Sequence, residues 1–258
     1  MGDNTILSQE EKVTVITGAA SGIGLGTARL FAEYGSSLAL LDIDKDRGQQ
    51  VAQDIRNSGV NAVFFHCDVS SDDNCKKTAD AIFSEFGRID TLFNNAGVCK
   101  RKSVVDLEER DWDIALDVTL KGAYLLSKYC IPYMKKSGGG SIINTGSGWG
   151  IKGGPDAVSY CAAKGGIVNM TRAMAIDHGK DGIRVNCVCP GDIDTPMLHN
   201  EAVQLNQDDA AYMKEAADRP LNRVGQPRDV AYTVLFLASE MSGWITGTSI
   251  VVDGGGIA

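Results

Sequence analysis

The sequence is short of basic residues and of long apolar runs. It has 258 residues, of which 25 are Lys or Arg and 33 are Asp or Glu, so the net charge is −8. No basic stripe stands out against this acidic background, which argues against a nucleic acid partner. No apolar run reaches the roughly 18 residues that a membrane span needs. We therefore expect neither nucleic acid nor a membrane as partner.

Histidine is also scarce, and cysteine is present without any pattern of pairing. The chain has 3 His and 7 Cys. The cysteines are odd in number and scattered over predicted strands and helices, which is typical of reduced core residues in a cytoplasmic protein. Cys187 and Cys189 would share one face of a strand, but no cluster of His or Cys completes a metal site. We expect no metal.

The first eleven residues differ from the rest of the chain. Residues 1–11 are polar and acidic and lack the basic-then-apolar layout of a signal peptide, so we expect a flexible tail. Residues 12–258 suit one domain, which is large enough to bury a substantial core.

Apolar segments alternate with segments of helical periodicity along this domain. The helical stretches include 25–34, 45–57, 72–86, 108–135, 157–178 and 227–238, and the strand candidates are 13–16, 38–41, 62–67, 91–94, 141–145, 184–189 and 248–252. This alternation predicts an α/β fold, a doubly wound parallel sheet of Rossmann type with about seven strands and helices on both faces. Its ligand should bind over the carboxyl ends of the strands.

A glycine-rich turn follows the first strand. Gly18, Ser21, Gly22, Ile23 and Gly24 lie between that strand and a helix, which brings backbone N–H groups and a helix N-terminus to one point. Such a turn suits a pyrophosphate.

The second strand ends on Asp42. A carboxylate there accepts hydrogen bonds from the adenosine ribose and repels a 2′-phosphate. The neighbouring positions where a cation could accept that phosphate, Ser21 and Ile43, are uncharged. The sequence therefore favours NAD over NADP as cofactor.

A tyrosine and a lysine lie one helical turn apart at Tyr160 and Lys164, and Ser147 comes 13 residues before Tyr160. An ammonium beside a phenol stabilises the phenolate, so we expect the pKa of Tyr160 to lie well below about 10. This makes Tyr160 a candidate general acid/base. A serine hydroxyl from a strand end could hold the substrate oxygen.

Together these motifs resemble the short-chain dehydrogenase/reductase family, in its compact single-domain branch, over nearly the whole chain. Each motif is modest alone, but all occur in the family's order. They are Thr17-Gly18-x-x-x-Gly22-x-Gly24, Asp68-Val69, Asn94-Asn95-Ala96-Gly97, Ser147, Tyr160-x-x-x-Lys164, Asn186 and Pro190-Gly191.

The resemblance implies an NAD-dependent oxidoreductase that interconverts a secondary alcohol and a ketone. Tyr160 would move the substrate proton, Lys164 would hold the phenolate and the nicotinamide ribose, and Ser147 would fix the substrate oxygen. Asp68 and Val69 would contact the adenine. The remaining implied cofactor contacts are Asn95, Ala96, Gly97, Pro190, Gly191, Ile193 and Thr195. The 192–223 segment, long for a connection, would form a lid over the substrate.

One family position departs from the pattern. The family has a fourth catalytic residue, an Asn in the long helix before Ser147, and here Thr119 stands at that position. A threonine hydroxyl is shorter than an amide and offers one donor rather than two. Thr119 either serves a proton relay or simply packs.

The substrate is less well defined by the sequence. Trp149 and Met197 are candidate pocket residues. Lys100, Arg101 and Lys102 either attract an anionic substrate or form a solvated loop face, and the second interpretation is favoured. His199 is expected to be exposed. Polyol, cyclic alcohol, hydroxysteroid and hydroxy acid all stay open.

Two further hypotheses concern turnover and assembly. A non-catalytic NAD-binding redox sensor or regulatory subunit would keep the glycine turn and Asp42, but it has no need of Ser147, Tyr160 and Lys164 together. The helices at 108–135 and 157–178 carry more apolar surface than one sheet face can cover. With the family resemblance, this predicts a homotetramer, with a second interface near Val251.

Overall fold

A computed structural model describes residues 6–258 and shows one sheet of seven parallel strands. The strand order is β3-β2-β1-β4-β5-β6-β7. The strands are β1 Val13–Thr17, β2 Ser37–Asp42, β3 Ala62–His66, β4 Thr91–Asn94, β5 Gly140–Thr145, β6 Ile183–Pro190 and β7 Ser249–Val252. The predicted doubly wound parallel sheet is confirmed.

The sheet has apolar side chains on both faces, which explains why its strands have continuous apolar runs. In β2, Leu38 and Leu40 belong to the core on one face, whereas Ala39 and Leu41 belong to the core on the other. All four are fully buried. A strand of this kind requires a helical layer on each side.

The helices supply those two layers. Their bounds are α1 Gly22–Glu33, α2 Lys45–Asn57, α3 Asp72–Phe86, α4 Glu109–Leu116, α5 Gly122–Lys136, α6 Val158–His178, α7 Pro196–Gln204, α8 Asp209–Ala216 and α9 Pro227–Ala238. Helices α1, α2 and α9 contribute to one core, and α3, α5 and α6 contribute to the other. The carboxyl edge of the sheet stays uncovered by these layers.

The ends of several helices follow from local sequence. The Ser71 side chain accepts a hydrogen bond from Asn74 N–H and so caps the start of α3. Gly87 ends the same helix with a left-handed backbone, φ 73°, which a glycine adopts without steric strain. Caps of this kind explain why the sequence predicts the bounds of α2, α3 and α9 well.

The predicted helix at 108–135 is interrupted. A π-helical turn, Asp117–Lys121, separates α4 from α5, and its hydrogen bond runs from Gly122 N–H to Asp117 O. The π turn adds one residue to the helix without a break in the chain direction. The chain is helical from Glu109 to Lys136, in agreement with the predicted stretch, and the sequence does not reveal the π turn because apolar periodicity persists on both sides of it.

Leu7 and Gln9, near the start of the described chain, pack against the domain. Gln9 N–H donates to Tyr34 O at 2.8 Å, and the Gln9 side chain is fully buried. Leu7 contacts the core formed with α1 and α9. These contacts hold Leu7 and Gln9 against the domain. The flexible tail at residues 1–11 stays a prediction for the rest of that segment, of which residues 1–5 lie outside the described residues.

The 192–223 segment contains two short helices, α7 and α8, rather than an extended loop. Thr195 caps α7 by accepting a hydrogen bond from Leu198 N–H, and Pro196 occupies the first helical turn. Among residues 6–258, none of the helices combines the length and the apolarity needed to cross a bilayer.

Candidate active site

A cleft of about 360 Å³ lies at the carboxyl edge of the sheet. It is formed by the turns that follow β1, β4, β5 and β6, together with α6 and the 192–223 segment. The predicted site residues that line it are Gly18, Ser21, Gly22, Ile23, Asn95, Ala96, Gly97, Ser147, Trp149, Tyr160, Lys164, Pro190, Gly191, Ile193, Thr195 and Met197. The cleft thus brings together motifs that lie far apart in the sequence.

Six predicted site residues lie outside the lining of this cleft. They are Gly24, Asp42, Ile43, Asp68, Val69 and Thr119. Asp68 follows β3, where its carboxylate accepts hydrogen bonds from Ser70 N–H and Ser70 Oγ. Val69 is buried against Gly122 at the start of α5.

The turns after β1 and β4 are joined by direct hydrogen bonds. Thr17 Oγ1 accepts from Asn95 N–H and Ala96 N–H, both at 2.9 Å. In return, Asn95 Nδ2 donates to Thr17 O at 3.1 Å. Gly18 has φ +64°, and a Cβ atom there would lie 3.0 Å from Asn95 Nδ2. A residue without a side chain is therefore needed where these two turns meet.

The N-terminus of α1 fits an anion. Its N-cap residue, Ser21, has an extended backbone, and within residues 6–258 no side chain caps the first turn and no acidic residue occupies it. The backbone N–H groups of that turn and the positive end of the helix dipole are thus available to a ligand in the cleft. This arrangement suits the pyrophosphate of a dinucleotide.

Asp42 is fixed beside the same turn. Its Oδ2 accepts from Ala20 N–H and its Oδ1 accepts from Asp44 N–H, both at 2.9 Å. The carboxylate is therefore held at the carboxyl end of β2 next to the glycine-rich turn. Ile43 beside it is 65% exposed, so the position where a cation could accept a 2′-phosphate carries an uncharged side chain.

Ser147 enters the cleft from β5. Its backbone is extended, and its Oγ accepts from Trp149 N–H at 3.1 Å, which caps a short 3-10 turn, Gly148–Gly150. This cap fixes the hydroxyl two residues beyond the strand end, and the Ser147 side chain is buried. The serine hydroxyl therefore has a defined position rather than a solvated one.

Tyr160 and Lys164 lie one turn apart on α6, as the sequence predicts. Lys164 is buried, its Nζ donates to Thr145 O at 2.7 Å, and it lies 5.6 Å from the centre of the Tyr160 ring. Burial lowers the pKa of Lys164 to about 8, because a low-dielectric environment disfavours the ammonium.

The pKa of Tyr160 is raised rather than lowered. Burial is the largest cause, and the nearby Ser147 hydroxyl opposes it only in part. The expectation of a lowered pKa was therefore wrong for the protein without cofactor. The lysine ammonium is directed towards Thr145 O instead of forming a close pair with the phenol oxygen.

Thr119 lies in the π-helical turn and is buried. Its Oγ1 accepts from Val98 N–H at 3.3 Å. A Cβ atom on Gly97 would lie 3.3 Å from Thr119 Oγ1 and 3.5 Å from Lys164 Nζ. The threonine hydroxyl and the lysine amine thus both lie beside the same glycine.

Arg101 differs most from its prediction. The favoured interpretation placed it on a solvated loop face, but it is 6% exposed and its NH1 donates to Glu201 Oε2 at 2.6 Å. Its guanidinium also lies 4.9 Å from the centre of the Trp149 ring. The solvated-loop prediction was wrong here because a carboxylate from α7 neutralises this cation inside the protein.

Sequence reasoning missed Glu201 and Tyr212, which complete this buried cluster. Tyr212 OH accepts from Arg101 NH1 at 2.9 Å and lies 3.2 Å from Glu201 Oε2. A signal was present, since Glu201 stands three residues after Leu198 and four before Leu205, on the apolar face of α7. A carboxylate on such a face needs a partner inside the protein.

His199 lies on the outer side of α7, as predicted. It is partly exposed between two carboxylates, with Nδ1 at 2.6 Å from Asp209 Oδ1 and Nε2 at 3.1 Å from Asp194 Oδ1. Both carboxylates raise the pKa of His199. Its place outside the cleft lining argues against a catalytic role.

Comparisons with known proteins agree with this geometry. The family model described as enoyl-(acyl carrier protein) reductase matches residues 18–256. The chain is 45% identical to an uncharacterized oxidoreductase of Bacillus subtilis, YxbG, over 95% of this chain and 91% of that protein. It is 37% identical to cis-4-hydroxycyclohexanecarboxylate dehydrogenase of Sinomonas cyclohexanicum, over 95% and 96% of the two chains.

A solved structure extends the likeness to three dimensions. The crystal structure of L-sorbose reductase from Gluconobacter frateurii, complexed with NADPH and L-sorbose, superposes with a TM-score of 0.93 at 30% identity and covers 98% of this chain and 99% of that one. The chain belongs to the short-chain dehydrogenase/reductase family of oxidoreductases, which bind nicotinamide cofactors and act on carbonyl or alcohol groups.

Proposed function

We propose that this protein is an NAD-dependent oxidoreductase that interconverts a secondary alcohol and a ketone, with Tyr160 as general acid/base. The supporting observation is that Ser147, Tyr160 and Lys164 line the same cleft as the uncapped N-terminus of α1. A proton-transfer group and a dinucleotide-binding turn thus share one space. A redox sensor without turnover has no use for this combination.

The residues of the cleft have separate roles in the proposed reaction. The nicotinamide cofactor supplies or accepts the hydride when it is bound. In ketone reduction, Tyr160 donates its proton to the substrate oxygen, for which a raised pKa is suitable because the phenol stays protonated at neutral pH. Ser147 donates a hydrogen bond to that oxygen and so stabilises its developing negative charge.

Alcohol oxidation requires the same groups in reverse. Tyr160 must then accept the hydroxyl proton, and the ammonium of Lys164 stabilises the phenolate by its positive charge. With a pKa of about 8, Lys164 is mostly protonated at neutral pH and loses this charge as the pH rises above that value. The oxidative reaction is therefore sensitive to the protonation of Lys164.

Absorbance of reduced nicotinamide tests the proposal directly. Purified protein is incubated with NAD⁺ or NADP⁺ and a panel of polyols, cyclic alcohols, hydroxysteroids and hydroxy acids. We expect turnover of at least one secondary alcohol. NAD binding without turnover of any member, or of the matching ketones with reduced cofactor, would support the redox sensor instead.

The preference for NAD over NADP is also a proposal, supported by the fixed position of Asp42 and the uncharged Ile43. Replacement of Asp42 by Ala and Ile43 by Arg removes a repulsive carboxylate and adds a cation for the 2′-phosphate. We expect the ratio of kcat/KM for NAD⁺ to that for NADP⁺ to fall by about tenfold or more, equivalent to at least about 1.4 kcal/mol. Equal use of both cofactors by the wild type would show that Asp42 does not reach the ribose.

Three further expectations accompany this function. The 192–223 segment acts as a substrate lid, supported by the place of Met197 and Leu198 in the cleft lining. The homotetramer is supported by Trp112 and Tyr124, two large side chains of the 108–135 helical segment that are exposed. A cytoplasmic location is supported by seven cysteines that are all free within residues 6–258.

A further inference from the structure

The substrate side of the cleft contains a buried ion pair that the proposed reaction does not use. Arg101 and Glu201 are 6% and 8% exposed, and Glu201 lines the cleft. Every hydrogen bond to the Glu201 carboxylate reaches the same oxygen, Oε2, from Arg101 NH1 and from Tyr212 OH. The pair thus holds one carboxylate oxygen firmly.

The other oxygen of Glu201 is free to bind a ligand. Among residues 6–258, Glu201 Oε1 has no hydrogen-bond partner, and it does not belong to the fully buried side-chain atoms that lack one. This oxygen therefore keeps some accessible surface, and Glu201 lines the cleft. A carboxylate oxygen with free lone pairs in a confined space is a strong acceptor for a hydroxyl group.

This acceptor faces the same space as the proposed acid/base. The charge of Glu201 is one of the causes that raise the pKa of Tyr160. Trp149 lies near both groups: its ring centre is 6.2 Å from that of Tyr160, with the two rings nearly perpendicular, and the guanidinium of Arg101 lies 4.9 Å from the same Trp149 ring. Tyr160 and Glu201 both line the one cleft of about 360 Å³.

Apart from Arg101, which is paired with it, the charged groups on this side of the cleft do not offset the carboxylate. Arg219 is paired with Asp192, and the Asp253 carboxylate accepts from Gly255 N–H and Ile257 N–H. Lys152 is exposed, where solvent screens its charge, and its Nζ donates to Gly256 O at 3.2 Å. The buried group that faces the ligand is thus a hydrogen-bond acceptor, which disfavours an anionic substrate.

We propose that Glu201 is a specificity-determining residue whose Oε1 accepts a hydrogen bond from a second hydroxyl group of the substrate, and that Arg101 is the residue that positions it. The substrate class is then a polyhydroxylated alcohol or its hydroxyketone. This inference rests on the proposed function and narrows its four open substrate classes to one.

Substrates built on one ring test the inference. Cyclohexanol, the isomeric cyclohexanediols and 4-hydroxycyclohexanecarboxylate share one ring and one reacting alcohol, and they differ in the second substituent and its position. We expect the wild type to prefer at least one diol to both other compounds. Glu201→Gln keeps the shape but removes the charge, and hydrogen bonds to charged acceptors are about twice as strong as neutral ones. We expect the ratio of kcat/KM for that diol to that for cyclohexanol to fall by about tenfold.

The ratio of kcat/KM for the diol to that for cyclohexanol distinguishes a role of Glu201 in substrate recognition from a role in stabilising the fold. A general loss of structure lowers kcat/KM for both substrates and leaves their ratio unchanged. Glu215→Gln is the matched control, because Glu215 is an exposed glutamate on α8, and its ratio should equal that of the wild type. If Glu201→Gln does not fold, the double variant Arg101→Met with Glu201→Met removes the pair as a unit, and it should lose the preference for the diol as well.

Several outcomes contradict the inference. Preference for the carboxylate compound, or a diol ratio that survives in Glu201→Gln, shows that Oε1 does not bind a hydroxyl group. If the protein turns over none of these compounds and no other alcohol, the proposed function itself is contradicted. In that case the shift in thermal midpoint that a diol causes in the presence of NAD⁺ is compared between wild type and Glu201→Gln, and equal shifts overturn the inference.

Discussion

The two sides of the cleft are built in different ways. The strand-end side, with Ser147, Tyr160 and Lys164, is positioned by the end of β5 and by one turn of α6. The opposite side depends on a contact between Arg101 and Glu201, which are 100 residues apart in the chain. The strand-end side is thus fixed by local structure, and the ion-pair side is fixed by tertiary structure. We expect variants on the strand-end side to change the chemistry and variants on the other side to change stability and recognition.

The largest expected effect is on the strand-end side. Tyr160→Phe keeps the ring and removes only the group that transfers the proton, so kcat should fall by about a thousandfold. The affinity for NAD and the free energy of unfolding should change little. Steady-state kinetics and a cofactor titration measure both quantities. Substantial residual turnover in a stable variant would show that another group transfers the proton.

A variant on the ion-pair side should mainly lower stability, in contrast to Tyr160→Phe, which should mainly lower turnover. Arg101→Met leaves the Glu201 carboxylate buried without its partner, so the free energy of unfolding should fall by about 3 kcal/mol. The affinity for NAD should be unchanged, because Arg101 does not line the cleft that contains the glycine-rich turn. Denaturant unfolding measures the loss. The double variant Arg101→Met with Glu201→Met should recover most of it, and equal stability of the two variants would contradict the pairing.

Lys164 sharpens the comparison between the two sides of the cleft, because this functional group on the strand-end side is itself expected to lower the stability of the fold. Its pKa is about 8 in the folded protein and about 10.4 in an unfolded chain, so between these pH values the unfolded state binds more protons. Wild-type stability should therefore rise across this window. Below it, the buried ammonium should lower stability by up to about 3 kcal/mol.

Lys164→Met removes this dependence of stability on pH. Its turnover should fall by about a hundredfold, since the phenolate loses its stabilising charge. Unfolding at about pH 7 and about pH 9.5 should show that the stability advantage of the Met variant shrinks at the higher pH. An advantage that is constant with pH would mean that Lys164 titrates at its ordinary pKa.

Thr119 gives the smallest expected effect on the strand-end side. Thr119→Val keeps the shape but removes the hydroxyl that accepts from Val98 N–H. We expect kcat to fall by about tenfold, roughly 1.4 kcal/mol in the barrier, with little change in NAD affinity. Thr119→Ser, which retains the hydroxyl, is the control. Turnover equal to that of the wild type under conditions where chemistry limits the rate would identify Thr119 as a packing residue.

The same contrast explains how far the sequence predicts the molecule. The glycine-rich turn, Ser147 and the pair Tyr160 and Lys164 are predictable because the end of a strand or one turn of a helix determines their positions. The ion pair of Arg101 and Glu201 is predictable only in part, since the place of Glu201 on the apolar face of α7 indicates a buried partner but nothing in the sequence identifies Arg101 as that partner. The pairing of Arg101 with Glu201 becomes evident only when the position of α7 relative to the sheet is known.

The protonation of Tyr160 escaped prediction for a related reason. Spacing along a helix shows that Lys164 is near, but burial depends on every element that covers the cleft. In the structure burial raises the pKa of Tyr160 and outweighs the opposing effect of the hydrogen bond with Ser147. Local sequence therefore predicts which groups meet, whereas the sign of their pKa shifts needs the tertiary structure.

The π-helical turn at Asp117–Lys121 has a consequence for the whole helix pair. Each residue of an α-helix rotates the chain by about 100°, so one extra residue turns the face of α5 relative to that of α4. Removal of a single residue from this turn would give an unbroken α-helix with a more regular hydrogen-bond ladder. The same deletion would rotate either Thr119 away from Gly97 or the core side chains of α5 away from the sheet. The irregular turn thus lets one helix meet two requirements that an ideal helix cannot satisfy at once.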